Sequence, residues 1–584
     1  MKAEPSIGLF SIFYTRMTRA YPILLRSSGR LRKAMLLIAS VLVASLCSGQ
    51  SMFLPQQHKH QQFLERLDIL LQKNQDLNTV TPRTITRHMA VFIAGMEDSS
   101  SGRPTIRLSA VDQGNLRDLL LNNAEYVTRE TPPSGFLNTF YNNPANFLEV
   151  NKEKFFLAFN PIVAGSAGFQ SEGDESVFHT AAGASFRTLI NNNLGFYASV
   201  TRNIEGPPDF ARDRFNAFNG VPGANKYGLT TDGNFDYWDV RAGVTFKALR
   251  FFDFQIAYDK NFIGNGYRSL YLSDFGSNYI FGKVNTRVWK FRYQHLYATL
   301  VPQFSGRRYT NVPYGRKVVS VHHLNINATK WLNVAFFQAL TISSRKDWQF
   351  MIPIIYYPVA RINNSRPDND LTGFEFKANV ARRAQVYGQV LFDNFKLKEI
   401  SKGDGWWNNR FGFQAGLKYI NVFGVDNLDM QLELNLIRPY TYATEDSLGN
   451  YTHFNNVLAH PLGANFSENI AILRYQPFRR LNTSLRFIAW KQGVDSSFMN
   501  FGGNIFKSTN SRPAEYGFGI PTGVNATGSN LQVAASFELF QNIFIDATFL
   551  LRKLTFERKY FPDSETTLGT IGLRMNMFRK EYDY

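Results

Sequence analysis

The chain has 584 residues, of which 44% are hydrophobic and 15% aromatic, and its formal net charge is +18. No apolar run reaches the roughly 20 residues that a spanning helix needs, which excludes a helical membrane protein but leaves a β-barrel open. For an exported protein, this basic charge favours acidic partners such as anionic polysaccharide or lipopolysaccharide phosphates, and export argues against nucleic acid.

The first 49 residues have the layout of a secretory signal peptide. Basic residues between positions 26 and 33 precede the apolar run 34–47, and small residues follow it. We expect export and cleavage after Gly49, with Met17 as a sufficient start. The alternative is a lipoprotein signal in which Cys47 carries the lipid. Since Cys47 is the only cysteine, cleavage would leave no disulfide and no thiol chemistry.

Residues 50–150 differ in pattern from the rest of the chain. The segments 61–73 (QQFLERLDILLQK) and 112–126 (DQGNLRDLLLNNAEY) place leucines at helical spacing, with Pro- and Ser-rich turns between them. We expect a small helical region that caps or plugs the following domain. The alternative is a mobile periplasmic extension.

From about residue 151 to 584, apolar and polar residues alternate in segments of about ten residues. Segment 427–437 shows the two faces most clearly: Met430, Leu432, Leu434 and Leu436 on one side, and Gln431, Glu433 and Asn435 on the other. A strand has a period of two, so one face is apolar and the other polar. The same pattern recurs in 193–204, 235–247, 251–260, 527–539 and 543–553. In an outer-membrane barrel the apolar face meets lipid and the polar face lines the lumen.

The connections between these segments alternate between tight and long. Tight links fall near 190–192, 248–250, 329–331, 382–384, 422–426, 477–480 and 540–542. Long links fall near 205–234, 261–285, 303–317, 343–372, 395–408, 438–467, 492–526 and 554–566. Bacterial barrels have short periplasmic turns and long external loops. The alternation requires two strands within 277–302, which predicts an all-β, antiparallel transmembrane barrel of about 18 strands.

The last strand, 567–578, is expected to continue to the aromatic Tyr584. A soluble double-sheet protein is the alternative architecture. It would have connections of mixed length and, at this chain length, usually more than one domain.

The predicted lumen face carries charges of both signs. The basic residues are Arg241, Lys247, Lys290, Arg292, Lys377, Lys418, Arg486 and Arg574. The acidic residues are Asp253, Asp259, Glu375, Asp393, Glu433, Glu538 and Asp546. Similar numbers of each sign favour ion pairs that brace a largely closed interior. The alternative is a selective pore for a charged solute.

Aromatic residues in the long links suggest a saccharide-binding surface. Residues 403–410 read GDGWWNNR, so Trp406 and Trp407 are adjacent and Asn408 follows them. Arg438, Tyr440 and Tyr442 follow the 427–437 strand, and Tyr356 and Tyr357 lie in another link. Sugar C–H faces stack on aromatic rings, while amide and guanidinium groups bind hydroxyls and carboxylates. The alternative is the aromatic girdle that barrels place at the membrane interface.

The sequence predicts neither a metal, a cofactor nor a catalytic centre. His322 and His323 are adjacent on a strand and point to opposite faces, so they cannot bind one ion together. His460 has no second histidine at ligand spacing, and no GxSxG motif supports a hydrolase. The segment GNGYR at 264–268 lacks the Lys-Ser/Thr ending of a phosphate-binding loop.

Two link segments resemble a known family. Residues 262–274 (FIGNGYRSLYLSD) and 458–466 (LAHPLGANF) resemble the Wzi-like outer-membrane proteins of the Bacteroidota, which include the capsule assembly protein Wzi and the gliding motility protein RemB. The resemblance spans about residues 150–584. The matching residues are Gly264, Gly266, Tyr267, Arg268, His460, Pro461, Gly463 and Asn465. For the two glycines the alternative is a turn-shaping role, and for Arg268 it is a brace inside the barrel.

The resemblance implies an 18-stranded barrel with a helical N-terminal element and a lectin-like role in holding exported polysaccharide, or a role in gliding machinery. The first hypothesis is therefore a non-enzymatic barrel that binds surface polysaccharide by avidity and contacts outer-membrane lipid, lipopolysaccharide and gliding or export machinery. The second is an outer-membrane channel for charged or sugar solutes, and the third is an outer-membrane hydrolase. A TonB-dependent transporter is disfavoured because such barrels have about 22 strands.

Overall fold

The computed structural model describes residues 52–584, except 56–57, 73, 75, 80–84, 99–107, 128–139, 174–175, 249–250, 303–314, 344–367, 497–498 and 559–560. The predicted signal peptide, most of two long links, and Tyr356 and Tyr357 lie outside the described residues. No helix in the described part of the chain is long and apolar enough to cross a membrane.

Eighteen antiparallel strands close into a barrel, as predicted. They belong to a sheet of 20 strands, of which Leu148–Lys152 and Tyr227–Leu229 are short additions at its margins. The barrel strands are β1 (Phe155–Gln170), β2 (Val177–Ile190), β3 (Leu194–Gly206), β4 (Phe235–Ala248), β5 (Phe252–Asp259), β6 (Tyr279–Val288), β7 (Phe291–Leu300), β8 (Lys317–Asn327), β9 (Leu332–Ile342), β10 (Asn369–Val380), β11 (Ala384–Asn394), β12 (Arg410–Tyr419), β13 (Leu428–Ile437), β14 (Phe466–Phe478), β15 (Leu481–Val494), β16 (Val524–Phe540), β17 (Ile543–Phe556) and β18 (Ser564–Met575). β1 pairs with β18, with Val163 opposite Met575, and this pairing closes the barrel.

The alternating pattern has the predicted orientation. In β13, Gln431, Glu433 and Asn435 are buried inside, while Leu432 and Leu434 are exposed on the outer surface. Large apolar side chains are exposed around the outer surface, among them Phe169, Ile256 and Ile571, each more than 60% exposed. Such a surface on a closed barrel is the surface that lipid covers. The prediction of two strands within 277–302 is confirmed by β6 and β7.

Tight turns and long loops gather at opposite ends of the barrel. We call these the short-turn end and the long-loop end. The tight turns include 191–193, 381–383 and 541–542, and the long loops include 260–278, 395–409, 438–465 and 495–523. The loop 207–234 contains a helix, Asp209–Phe218, and 395–409 contains a second, Leu397–Lys402. The loop 438–465 contains a small hairpin of Thr452–His453 and Asn456–Val457.

Three helices fill the short-turn end: α1 (Gln61–Leu71), α2 (Arg87–Asp98) and α3 (Ala110–Asn122). α1 and α3 match the predicted helices, whereas α2 was not predicted, because its apolar residues form one run rather than a stripe. The three helices share a core that includes Leu67 and Leu119. Ser109 and Asp112 form a capping box at the start of α3. α1 and α3 bond to the barrel wall at several points.

The chain after β18 does not continue as a strand to Tyr584, so that prediction is wrong. Asn576 has a φ of 56°, and residues 577–584 turn back into the lumen, where Tyr584 is buried. The outward residues of β18 are odd-numbered, such as Ile571 and Leu573. A continued strand would therefore point Arg579, Glu581 and Asp583 at lipid, which the membrane disfavours. We call residues 576–584 the C-terminal tail.

Candidate functional site

The two segments that resemble the Wzi-like family meet inside the barrel. The Ser273 N–H donates to the carbonyl of Leu458 at 2.8 Å, and the Ser273 hydroxyl donates to the carbonyl of Ala459 at 2.5 Å. Both segments belong to loops of the long-loop end that fold inward. The second segment lies in a long link, but it folds inward, and His460 and Asn465 are fully buried.

Gly264 and Gly266 allow the first segment to lie directly on the barrel wall. Gly264 has a φ of +142°, and a Cβ there would lie 2.7 Å from Gln389 Nε2. A Cβ on Gly266 would lie 2.7 Å from Glu433 Oε2 and 2.8 Å from Gln414 Nε2. Glycine is required where a backbone approaches other atoms this closely. The glycines therefore position Tyr267 and Arg268.

Glu433 on β13 holds the backbone of this segment. Its carboxylate accepts hydrogen bonds from the N–H groups of Tyr267 at 2.6 Å and Arg268 at 3.0 Å, and from the Tyr387 hydroxyl at 2.7 Å. The Arg268 guanidinium is then free to reach Glu468, 3.7 Å away on β14. Arg268 thus braces the loop inside the barrel.

His460 belongs to the same buried cluster. Its Nε2 lies 2.7 Å from Glu468 Oε2, and its Nδ1 accepts a hydrogen bond from the N–H of Leu462 at 3.2 Å. This pairing places the proton on Nε2, which donates to the carboxylate. Burial lowers the pKa of His460, although Glu468 opposes that shift. His460 is therefore neutral at pH 7 and serves as a hydrogen-bonding group.

The remaining motif residues tie loops together. Asn465 has a φ of 61°, and its side-chain amide donates to the carbonyls of Gly493 at 2.9 Å and Thr522 at 2.6 Å. The carbonyl of Pro461 accepts from Arg214 at 2.7 Å, and Gly463 has a φ of +74°. The motif therefore fixes several loops of the long-loop end to one another.

The predicted saccharide-binding residues lie on the long-loop end, but most are not exposed. Trp407 and Tyr440 pack edge to face at 5.7 Å, and Tyr440 packs against Phe518 at 5.3 Å. We call Trp406, Trp407, Tyr440 and Phe518 the aromatic cap. Tyr440 is only 1% exposed and Trp407 only 7%. The expectation of adjacent exposed tryptophans is wrong, because Trp407 is needed in the core of the cap.

Tyr442 and Arg438 are structural in this arrangement. The Tyr442 hydroxyl donates to the carbonyl of Leu270 at 2.7 Å, and its ring is 1% exposed. Arg438 donates to the carbonyls of Trp406 at 3.2 Å and Phe518 at 3.0 Å. The sequence could not distinguish loop aromatics that stack on a ligand from those that stack on one another.

Trp406 and Asn408 remain partly exposed, as does Arg438. Trp406 packs against the other residues of the aromatic cap, and Lys396 Nζ lies 4.6 Å from the centroid of the Trp406 ring. Asn408 accepts hydrogen bonds from Asn394 at 3.0 Å and from Arg410 at 3.1 Å. An aromatic face beside an ammonium group and amides is the part of the cap that can contact a saccharide.

The barrel fold has a counterpart among solved structures. The barrel is similar to Wzi. That Escherichia coli outer-membrane protein is a carbohydrate-binding β-barrel involved in group 1 capsule assembly; the match covers 90% of this chain and 100% of that chain, at 12% identity and a TM-score of 0.55. OprD of Pseudomonas aeruginosa covers 72% of this chain and 94% of its own at 7% identity and a TM-score of 0.40. OccAB4 of Acinetobacter baumannii covers 73% and 98% at 9% identity and a TM-score of 0.41. No family model and no curated protein matches the sequence.

The likeness to Wzi confirms the outer-membrane barrel fold. The gliding relationship to RemB and the assignment to the Bacteroidota stay predictions.

Most of the predicted lumen charges form ion pairs, and inserted segments supply many of the partners. Lys377 Nζ lies 2.6 Å from Asp68 of α1, and Lys418 Nζ lies 2.8 Å from Glu65 of α1. The wall residues that pair with the helices, the segments beside them or the tail are Arg292, Lys377, Lys418, Arg486 and Glu538. Lys290 is an exception, since it lies in the tight turn after β6. The interior is braced as expected, both by pairs within the wall, such as Arg574–Asp546, and by pairs with inserted segments, such as Lys377–Asp68.

A polar cavity remains between these segments. Its volume is about 490 Å³, and it is bounded by α1, the loop 260–278, the barrel wall and the tail. Its lining carries eight Lys or Arg residues and five Asp or Glu residues: Lys59, Arg241, Lys260, Arg268, Arg474, Arg574, Arg579 and Lys580, against Glu65, Asp239, Asp274, Glu581 and Asp583. The cavity therefore favours anions.

His322 and His323 point to opposite faces of β8, as predicted. His323 Nε2 lies 2.5 Å from Glu375 Oε1 inside the barrel. His322 stacks on His295 at 4.6 Å and lies 3.2 Å from the Ser320 hydroxyl on the other face. Within the described ranges, no group of three or more His, Cys, Asp or Glu side chains is placed to hold a metal ion.

Proposed function

We propose that this protein is a non-enzymatic outer-membrane barrel that holds surface polysaccharide at the cell and supports capsule or exopolysaccharide assembly. The observation that carries the proposal is the inward folding of the loops 260–278 and 438–465, which joins them to the lumen wall. With α1 and α3 bonded to the wall at the short-turn end, segments of the chain occupy part of the lumen from both ends. A barrel braced in this way suits a receptor that holds polysaccharide at the cell surface better than a channel that conducts solutes.

The partly exposed face of the aromatic cap is the proposed contact. Trp406 offers a ring for sugar stacking, and Lys396 lies above it. Lys398 and Lys402 lie in the adjacent exposed helix Leu397–Lys402. A polymer presents the same unit many times, so weak binding at each barrel gives firm retention by avidity. The similarity in fold to the carbohydrate-binding Wzi supports the same class of ligand.

The resemblance to gliding proteins suggests a second setting for the same binding activity. In that setting the barrel holds polysaccharide during movement, and gliding or export machinery contacts it from the periplasm. The channel alternative is favoured by one observation, the polar cavity of about 490 Å³. Steady conductance in a planar lipid bilayer would support the channel over the receptor.

Retention of polysaccharide on cells tests the proposal. A strain that lacks the gene is complemented with the wild-type chain, with Trp406→Ala or with Trp289→Ala, and cell-bound and released polysaccharide are measured. Trp289 is a matched control because it is 77% exposed at the short-turn end. We expect deletion and Trp406→Ala to shift polysaccharide into the medium, and Trp289→Ala to restore retention. Full retention in the deletion strain would overturn the proposal.

A further inference from the structure

The C-terminal tail lies in a groove of the lumen wall that is rich in arginine. Its backbone after β18 has no regular secondary structure, so the tail is held by side chains rather than by strand pairing. The groove is formed by the loop 260–278 and by β15 and β17. It adjoins the polar cavity of about 490 Å³, a size within the range of about 300–1,000 Å³ for small-molecule sites.

Two carboxylates of the tail form ion pairs with two guanidinium groups of the groove. Glu581 Oε2 lies 2.6 Å from Arg486 Nη1, and Asp583 Oδ2 lies 3.2 Å from Arg268 Nη1. The carbonyl of Asp583 also accepts from Arg268 Nη2 at 2.6 Å. Both arginines are more than 90% buried. Without the tail, Arg486 would lose its carboxylate partners, and Arg268 would keep Glu468 at 3.7 Å.

Aromatic rings are interleaved with these arginines. The Tyr267 ring has the guanidinium of Arg268 at 5.0 Å and that of Arg486 at 5.3 Å. Further along the groove, Arg552 lies 5.0 Å from the Trp490 ring and donates to the carbonyl of Tyr584 at 3.2 Å. Planar guanidinium groups bind carboxylates with defined geometry, and aromatic faces accept the C–H faces of sugars.

We propose that this groove is a binding site for the carboxylated sugar units of an acidic glycan, and that the C-terminal tail is its built-in competitor. The inference rests on the proposed function and deepens it, because it names the class of glycan. Exchange of one carboxylate for another preserves the ion pairs, so the desolvation of the arginines is not repeated. The glycan would then bind in proportion to the fraction of molecules whose tail has left the groove.

The test compares two double variants of the full chain in detergent. Glu581→Gln with Asp583→Asn weakens the tail's hold on the groove without shortening the chain. Glu557→Gln with Glu565→Gln is the matched control, because it removes two carboxylates that are exposed near the loop between β17 and β18. The probes are labelled oligogalacturonate, which is acidic, and labelled dextran, which is neutral. Heat-modified migration on gels confirms that each barrel is folded.

We expect oligogalacturonate to bind the tail variant about tenfold more tightly than the control variant, with no change for dextran. Adding Arg552→Gln to the tail variant should reverse this gain. Equal oligogalacturonate affinity in the two double variants would overturn the inference, as would an equal gain for dextran. If no form of the protein bound oligogalacturonate, dextran or the native surface polysaccharide, the proposed function would fail together with the inference.

Discussion

A fully buried ion pair is one of the contacts that hold α1 against the barrel wall, and its removal should favour undocking of α1. Asp68 of α1 accepts hydrogen bonds from Lys377 at 2.6 Å, Gln385 at 2.9 Å and Asn379 at 3.0 Å. Lys377 is 0% and Asp68 1% exposed. The substitution Asp68→Ala would leave the Lys377 ammonium buried with only the carbonyl of Leu77 as acceptor.

The expected cost follows from the burial. Breaking a buried pair by removing one partner costs about 3–5 kcal/mol, because an uncompensated charge stays behind. At about 1.4 kcal/mol for each factor of ten, the equilibrium between docked and undocked α1 shifts by a factor of about 10² to about 4 × 10³. Undocking relieves the penalty, since water then reaches the ammonium group.

Amide hydrogen exchange of residues 61–71 measures this shift. We expect protection of α1 to fall by the same factor in Asp68→Ala, while the strands β2 and β16 keep theirs. Asp232→Asn is the control, since Asp232 is exposed in a long loop. Protection of α1 that stays within about threefold of wild type would refute the claim that this pair holds the helix.

Three further outcomes are expected. In Gly266→Ala, the new Cβ would lie 2.6 Å from the Arg268 carbonyl and 2.7 Å from Glu433, so the loop 260–278 should detach from the barrel wall. We expect trypsin to cleave this variant after Arg268 and to leave that bond intact in the wild-type protein. Because burial lowers the pKa of His460, the unfolded state binds more protons than the folded state below pH 6.5. The protection of 458–466 against amide exchange, corrected for intrinsic exchange, should therefore fall from pH 7 to pH 5 by up to about 1.4 kcal/mol per pH unit. His460→Gln should remove that pH dependence. In planar bilayers the wild-type barrel should show no steady conductance, and a large steady current would contradict the closed interior.

The barrel could be predicted because its strands repeat a simple physical requirement. Each strand separates lipid from lumen, so the period of two in β13 is visible in one segment and confirmed in the others. The missing strand pair, β6 and β7, followed from the alternation of turn lengths. The tail departs from the predicted strand because, in the lipid-facing register set by Ile571 and Leu573, its charged residues would face lipid.

The site was harder to predict because loop conformation is set by contacts distant in sequence. The family motif identified Arg268 and His460, but not that both would meet Glu468 inside the barrel. The aromatic residues of the cap were identified by composition alone. Their burial depends on Phe518, which lies more than 100 positions from Trp407, and no local pattern reveals that contact.

Binding of surface polysaccharide to the purified barrel tests the central claim most directly. The polysaccharide is isolated from the cells that produce the protein, and its binding to wild type, Trp406→Ala and Trp289→Ala is measured by titration. We expect saturable binding that Trp406→Ala weakens and Trp289→Ala leaves unchanged. Absence of binding to the folded wild-type barrel would contradict it.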